Sequence, residues 1–346
     1  MEIITGLLLV ALAGLGTGTV AWPMKKIKDL HFEQFLFIFM LSGIIIYPWI
    51  VVLIKVPDPL LVIRTVGLKP LLISNLLSMS WGVANILFLI CVIRIGAALS
   101  GVILSALGMS IGVTMPMILK GSGLFSSAPS LLSNAGIFII IGLVVIIIGV
   151  VLVTVAGFGR EKILNNNLTA DKRSSGSFLG GLLLVILAGV LSSGISLSFV
   201  YSQGSIIESV KQQGAGEITA NFTVWALGMF GGGMINVLFA AYRMTIKKNW
   251  KLLFVRKDEI LFGAISGLQF IVAIVLLGRG MVLLGALGAS IGFGIQQSLQ
   301  VIGNQLVGFI GGEWKGVYGK PRTSMYIGIG VILIAVIVLA YSNTVS

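Results

Sequence analysis

Ten apolar runs, each long enough to cross a bilayer, succeed one another along this chain of 346 residues. A crossing helix needs about 20 predominantly apolar residues. The runs lie at roughly 3–22, 32–54, 71–93, 97–119, 135–155, 178–201, 218–242, 260–278, 281–307 and 324–341. They leave no stretch long enough for a soluble domain or a long tail. With 57% of residues hydrophobic and 10% charged, an ordinary soluble fold is excluded. The expected fold class is all-α integral membrane, with ten transmembrane helices. The first run follows Met1 and Glu2 without a basic segment or a small-residue cleavage signal. It is expected to be a retained span and not a signal peptide.

The formal charge of +12 would suit nucleic acid if it were clustered on a soluble face. Here the basic residues sit in short loops between apolar runs, the pattern of a chain oriented in a bilayer. The odd-numbered connections carry seventeen Lys and Arg and the even-numbered ones six. That bias puts the odd loops in the cytoplasm and both termini outside it. Lipid is therefore the expected surroundings, the plasma (inner) membrane the expected location, and nucleic acid is not an expected partner. The lone cysteine, Cys91, rules out an internal disulfide and a cysteine metal site.

The two halves repeat one another. GLLLVALAG at 6–14 and GLLLVILAG at 181–189 agree at eight of nine positions. Gly82 precedes Arg94 by twelve residues, as Gly267 precedes Arg279. ALGMSIG at 106–112 and ALGASIG at 286–292 agree at six of seven positions. Each half holds five runs, an odd number, so the halves must have opposite orientations. The expected organisation is a five-plus-five inverted-topology repeat: residues 1–157, a cytoplasmic linker at 158–177, and residues 178–346. Such repeats imply alternating access to a site between the halves.

Polar residues are uneven along the runs. The fifth and tenth contain almost none and are expected to face lipid or pack peripherally. The ninth carries Gln296, Gln297, Gln300 and Asn304. Positions 296, 300 and 304 fall on one helix face, and amides in hydrocarbon need partners. This face should look at another helix or at a polar ligand, and Gln296 is the member expected to have a helix as its alternative neighbour. Amides supply both donors and acceptors to hydroxyl groups. Indoles can cover the C–H face of a sugar ring while donating one N–H. The candidate solute-binding residues are therefore Trp81, Asn85, Trp225, Gln269, Gln297, Gln300 and Asn304. Ser and Thr in the same runs can instead bond their own backbone, and Trp22 can be an interfacial anchor.

All eleven acidic residues fall in loops or near the ends of runs, and the single histidine, His31, is in a loop. No nucleophile–base pair, phosphate loop or metal cluster is present, so catalysis, cofactors and metals are not expected. If protons drive the protein, Glu33, Glu208 and Glu217 are the carboxylates nearest the runs, each expected to be a solvated end residue. Glu313, Trp314, Lys315 and Lys320 are expected to fix or gate a cytoplasmic loop. Pro116 is expected to kink the fourth run.

Several stretches together resemble the L-rhamnose/proton symporter family of the drug/metabolite transporter superfamily. They are AWPMKKIK at 21–28, WGVAN at 81–85, GGGMIN at 231–236 followed by Arg243, and GEWKG at 312–316 with KPR at 320–322. The resemblance covers most of the chain in order. It implies ten helices, a five-plus-five inverted repeat and cation-coupled uptake of a sugar. The expected function is a secondary transporter for a small neutral polar metabolite, foremost a monosaccharide, with a proton or sodium ion as co-transported partner. Two other readings stay open: an exporter of amino acids or drug-like metabolites, and a non-transporting membrane scaffold or sensor.

Overall fold

The computed structural model describes residues 2–20, 22–95, 97–119, 129–164, 178–285 and 288–342. Ala21, Lys120, Ala286, Leu287 and the linker residues 165–177, Lys172 and Arg173 among them, lie outside the described residues. Among the described residues every regular element is helical. In chain order these are α1 (Glu2–Gly18), α2 (Phe32–Met40), α3 (Tyr47–Lys55), α4 (Pro59–Val66), α5 (Leu68–Ile95), α6 (Ala97–Ile118), α7 (Asn134–Leu164) and α8 (Phe178–Ser192). They continue as α9 (Gly194–Gln212), α10 (Glu217–Gly228), α11 (Phe230–Ile246), α12 (Leu252–Val255), α13 (Lys257–Leu283), α14 (Gly288–Ile310) and α15 (Lys320–Ser342).

The apolar runs fall largely in helices, the ninth beginning at the end of α13 and continuing in α14, but among the described residues fewer than ten meet the length and hydropathy of a crossing on their own. Six do: Phe32–Lys55, Leu68–Cys91, Asn134–Arg160, Leu179–Gln212, Lys257–Leu283 and Lys320–Ser342. The pair α10 and α11, bent by 55°, makes a seventh when taken as one span. The physical reasons for the shortfall differ. Helix α1 is short, at 17 residues. Helix α14 dilutes its apolar residues with five amides, Gln296, Gln297, Gln300, Asn304 and Gln305. Pro116 lies only two residues before the end of α6, so it leaves little helix beyond it to kink.

The breaks within the long spans have local causes. Between α2 and α3 the chain forms a π-helical segment, Leu41–Ile46, in which Tyr47 N–H bonds Ser42 O. Pro48 follows, and its ring cannot sit in a regular α-helical turn; the wider π turn accommodates it. At Met229 the bend separates α10 from α11, and α5 and α9 supply the missing hydrogen bonds. Asn75 Nδ2 donates to Leu227 O at 2.7 Å, and Asn75 Oδ1 accepts from Gly231 N–H at 2.7 Å. Ser198 donates to Gly228 O at 3.0 Å, and Ser78 Oγ accepts from Gly232 N–H at 3.1 Å. At the junction of α8 and α9, Ser80 donates to Leu191 O at 3.1 Å. The α5 polar residues thus satisfy backbone groups that broken helices leave open.

Helix packing follows a paired scheme. Helix α1 packs on α13 and α14, and α8 packs on α5 and α6. Helix α5 packs on α11, and α13 packs on α2 with its π segment. The crossings turn on matched glycines. A Cβ at Gly82 would lie 2.8 Å from Gly232 O, one at Gly43 would lie 2.9 Å from Gly267 O, and one at Gly267 would lie 2.9 Å from Gly43 N. Helices α7 and α15 form a peripheral pair, with Gly149 against Ile332 and Gly328 against Val153. Their outer faces, Ile141, Ile148 and Val155 on α7 and Ile334 and Ile337 on α15, are exposed. One sequence match does not share this register. Gly108 lies midway along α6, whereas Gly288 opens α14, so ALGMSIG and ALGASIG occupy different parts of their helices.

Candidate functional site

A cavity of about 440 Å3 lies where α1, α2, α5, α6, α10, α11, α13 and α14 converge with the α8–α9 junction. Its size falls in the range of about 300–1,000 Å3 usual for small-molecule sites. No residue of the peripheral pair lines it. At one end the lining residues Met109, Phe199, Trp225, Met281 and Phe293 are buried. There α6 meets α14: Ser290 donates to Val113 O at 3.0 Å, and Phe293 fills the space a Cβ on Gly112 would need. At the other end the lining includes two exposed residues, Phe32 and Asn304.

One wall is polar. Gln296, Gln297, Gln300 and Asn304 of α14 all line the cavity, as their spacing on one helix side requires. Gln296 also faces α1, where its Nε2 donates to Thr17 Oγ1 at 2.8 Å and to Gln300 Oε1 at 2.9 Å. Gln297 and Asn304 have no hydrogen-bond partner among the described residues. Across the cavity, Asn85 Nδ2 donates to Asn236 Oδ1 at 3.4 Å, and Asn236 Nδ2 donates to Gly232 O at 2.9 Å.

The remaining wall is aromatic and aliphatic. Trp81 lies against Gly232, where a Cβ would come within 3.1 Å of its ring. Trp225 stacks on Phe199 with centroids 4.8 Å apart. Trp225 Nε1 and Ser196 Oγ are buried polar atoms without a partner, and both residues line the cavity. A buried donor without a partner costs about 1–3 kcal/mol, so these two groups favour a ligand that can bond them. No Asp, Glu, Lys, Arg or His is among the lining residues. The cavity therefore offers hydrogen bonds and ring faces without a fixed charge, which suits a neutral, hydroxyl-bearing molecule.

Six of the seven sequence candidates, Trp81, Asn85, Trp225, Gln297, Gln300 and Asn304, are brought together in this lining. Gln269 is not. Its Nε2 donates to Gly16 O and to Thr19 Oγ1, both at 2.8 Å, tying α13 to the C-terminal turn of α1. Gly16 stands 175 positions before Leu191, the same offset that separates the GLLLVALAG and GLLLVILAG segments. Ser80 on Leu191 O and Gln269 on Gly16 O are thus matching braces. Trp22 is exposed and does not line the cavity. Sequence reading passed over six phenylalanines in the lining, at 32, 39, 88, 199, 270 and 293. An apolar letter in an apolar run carries no signal of which face it takes.

The described carboxylates lie apart from the cavity, but not all are solvated. Glu33 is 5% exposed, with Lys247 Nζ at 3.0 Å and Asn249 Nδ2 donating at 2.7 Å. The expectation of a solvated end residue fails for it because α11 ends against it; Glu208 and Glu217 are exposed. Glu259 is also buried, accepting from the backbone N–H groups of Lys28, Asp29 and Leu30 and from Arg256. Beyond α14, Glu313 bridges Lys25 and Arg160, each at 2.8 Å. The Lys25 hydrogen bond holds the Glu313 carboxyl below its usual range; partial burial opposes this, and the charges of Lys25 and Arg160 add to it. Arg160 also lies over the Trp314 ring at 5.4 Å. This network ties the turn after α1 and the end of α7 to the loop between α14 and α15.

The chain matches the family model of the L-rhamnose-proton symport protein (RhaT) over residues 1–344. It is 24% identical over 325 residues to an L-rhamnose-proton symporter of Citrobacter koseri, with 90% of each chain covered. A namesake from Yersinia pestis is 25% identical over 324 residues, and one from Klebsiella pneumoniae 24% over 323, each again with 90% of both chains covered.

Proposed function

The chain belongs to the L-rhamnose-proton symport protein family, and from that premise we propose that it is a secondary transporter taking up a monosaccharide together with a proton. The observation that carries the reading is the cavity lining: amides, hydroxyls and indoles with unpartnered polar atoms, and no charged group. The amides of Gln297, Gln300, Asn304 and Asn85 bond the hydroxyls, and Trp81 and Trp225 cover the apolar ring face.

The mechanism in this reading is alternating access between two inverted five-helix halves. Matched packing supports it: α1 on α13 and α14 mirrors α8 on α5 and α6, and the Gly82–Gly232 crossing mirrors Gly267–Gly43. The matching braces at Gly16 and Leu191 support it too. The end with exposed Phe32 and Asn304 is also the end of Lys25, Arg160 and Glu313. With the basic loops in the cytoplasm of an inner-membrane protein, this conformation opens inward. The contact of α6 with α14 at Gly112 and Phe293 is then the closed outer gate. An amino-acid exporter is disfavoured, because a bound carboxylate would meet no cation in the lining.

The test is uptake of labelled monosaccharides into proteoliposomes under an imposed proton gradient. Accumulation abolished by a protonophore and lost in Gln297→Leu is the expected result. Equilibration without accumulation would remove the proton from the scheme. No uptake of any monosaccharide would refute the assignment.

A further inference from the structure

A chain of hydrogen bonds with a single direction runs from α1 to the cavity. Thr17 Oγ1 lies 3.0 Å from both Ala13 O and Gly14 O. Both are acceptors, and a hydroxyl has one proton to give. Toward α14 the same oxygen is therefore left to accept, and Gln296 presents its Nε2 there at 2.8 Å. The other N–H of that amide meets Gln300 Oε1 at 2.9 Å. Thr17 Oγ1 also lies 3.4 Å from Gln300 Oε1, a contact that its one proton does not serve while it bonds α1, so the orientation of Gln300 is set by Gln296. With its oxygen engaged, Gln300 keeps its NH2 without a partner among the described residues, on a side chain that lines the cavity. Turning the Gln300 amide over would set two NH2 groups face to face.

The geometry of the helices makes this relay rigid. A Cβ at Gly14 would lie 2.6 Å from Gln296 O, and one at Gly18 would lie 2.3 Å from Gln300 O. Helices α1 and α14 thus touch backbone to backbone on either side of Thr17. Thr17 is 9% exposed and Gln296 is 4% exposed, so water does not compete effectively for their bonds.

We propose that Thr17 is a positioning residue that, through Gln296, fixes Gln300 as a hydrogen-bond donor to an acceptor oxygen of the bound solute. The inference rests on the transport reading above and adds to it a residue that does not itself need to touch the solute. At this point of the site a solute must offer a hydroxyl or ring oxygen as acceptor.

The probe is labelled L-rhamnose, with binding and counterflow exchange measured on the full-length protein in liposomes. Thr17→Val keeps the side-chain shape and removes both hydroxyl roles. It should weaken L-rhamnose binding about threefold to tenfold, the size of one hydrogen bond, while the maximal exchange rate stays within about twofold. Thr17→Ser should restore wild-type affinity, because its hydroxyl repeats the relay. Gln296→Met, which breaks the relay from the other side, should reproduce the affinity loss and guards against a packing defect peculiar to valine. Wild-type affinity in both Thr17→Val and Gln296→Met would overturn the inference alone. A maximal rate that falls together with affinity, without rescue by serine, would also overturn it, since that is the behaviour of a merely structural residue. A wild-type protein that binds no monosaccharide would overturn the transport reading, and this inference with it.

Discussion

Replacing Asn75 by alanine tests whether the bend at Met229 is built by the facing helix. The Asn75 side chain closes both sides of the break, donating to Leu227 O at 2.7 Å and accepting from Gly231 N–H at 2.7 Å. Alanine leaves a carbonyl and an amide that the bent helix cannot pair for itself. Interhelical side-chain bonds in membranes average about 0.6 kcal/mol and reach about 1.7. Stranding a buried polar group costs about 1–3 kcal/mol. Because both groups here are backbone atoms at a fixed 55° bend, the upper membrane figure is the better guide for each. The loss should be about 2–4 kcal/mol for the pair. Reversible unfolding in mixed micelles would measure it. Trp225 precedes the bend by four residues and Asn236 follows it by seven, so solute affinity should fall as well. A destabilisation below about 0.5 kcal/mol would refute the reasoning, because it would mean that the break satisfies itself.

Three further outcomes follow from the same packing. Gly18→Ala would place a Cβ 2.3 Å from Gln300 O; overpacking of this kind costs about 1–3 kcal/mol, and both thermal stability and solute binding should drop. Gln269→Leu removes the braces to Gly16 O and Thr19 Oγ1 and should cost about 1–3 kcal/mol in unfolding. Its solute affinity should stay unchanged, because Gln269 does not line the cavity. Glu313 is held below its usual value near 4.5 by Lys25 and Arg160. A carboxyl depressed in the folded state contributes stability above its unfolded pKa and loses it as the pH falls through the folded one. Glu313→Gln should therefore melt slightly earlier than wild type at pH 7, with the two curves converging below about pH 4.5; the effect is small because Glu313 is 43% exposed. Melting curves that stay parallel down to pH 3 would contradict it.

Much of the protein is legible from its letters because a bilayer is a demanding solvent. Apolar runs of crossing length have to be helices, and their described residues fall largely in helices. The amides Gln296, Gln297, Gln300 and Asn304 of α14 had to turn away from lipid, so Gln297, Gln300 and Asn304 were visible as a polar wall, as Asn85 was opposite them. The same rule misled for Gln269, since a polar side chain within a membrane helix can serve a ligand or a broken neighbour, and spacing does not distinguish them. Asn75, Ser78 and Ser80 belong to that second class, recognisable only once the bends at Met229 and Ser193 are seen. Hydropathy along a run also does not show where a helix starts or breaks: among the described residues six helices, or seven with the bent pair, are long and apolar enough to cross by themselves.

What the sequence determined by itself is therefore the solvent, the helical class, the family and the uncharged character of the site. What only the tertiary structure decided is orientation about each helix axis: which phenylalanines reach the cavity, which amide points at α1, and that Thr17 bonds Gln296. The physical reason is that a helix places its side chains all round. Which of them meets a ligand depends on the neighbours that cover the others, and those neighbours are 150 to 280 residues away along the chain.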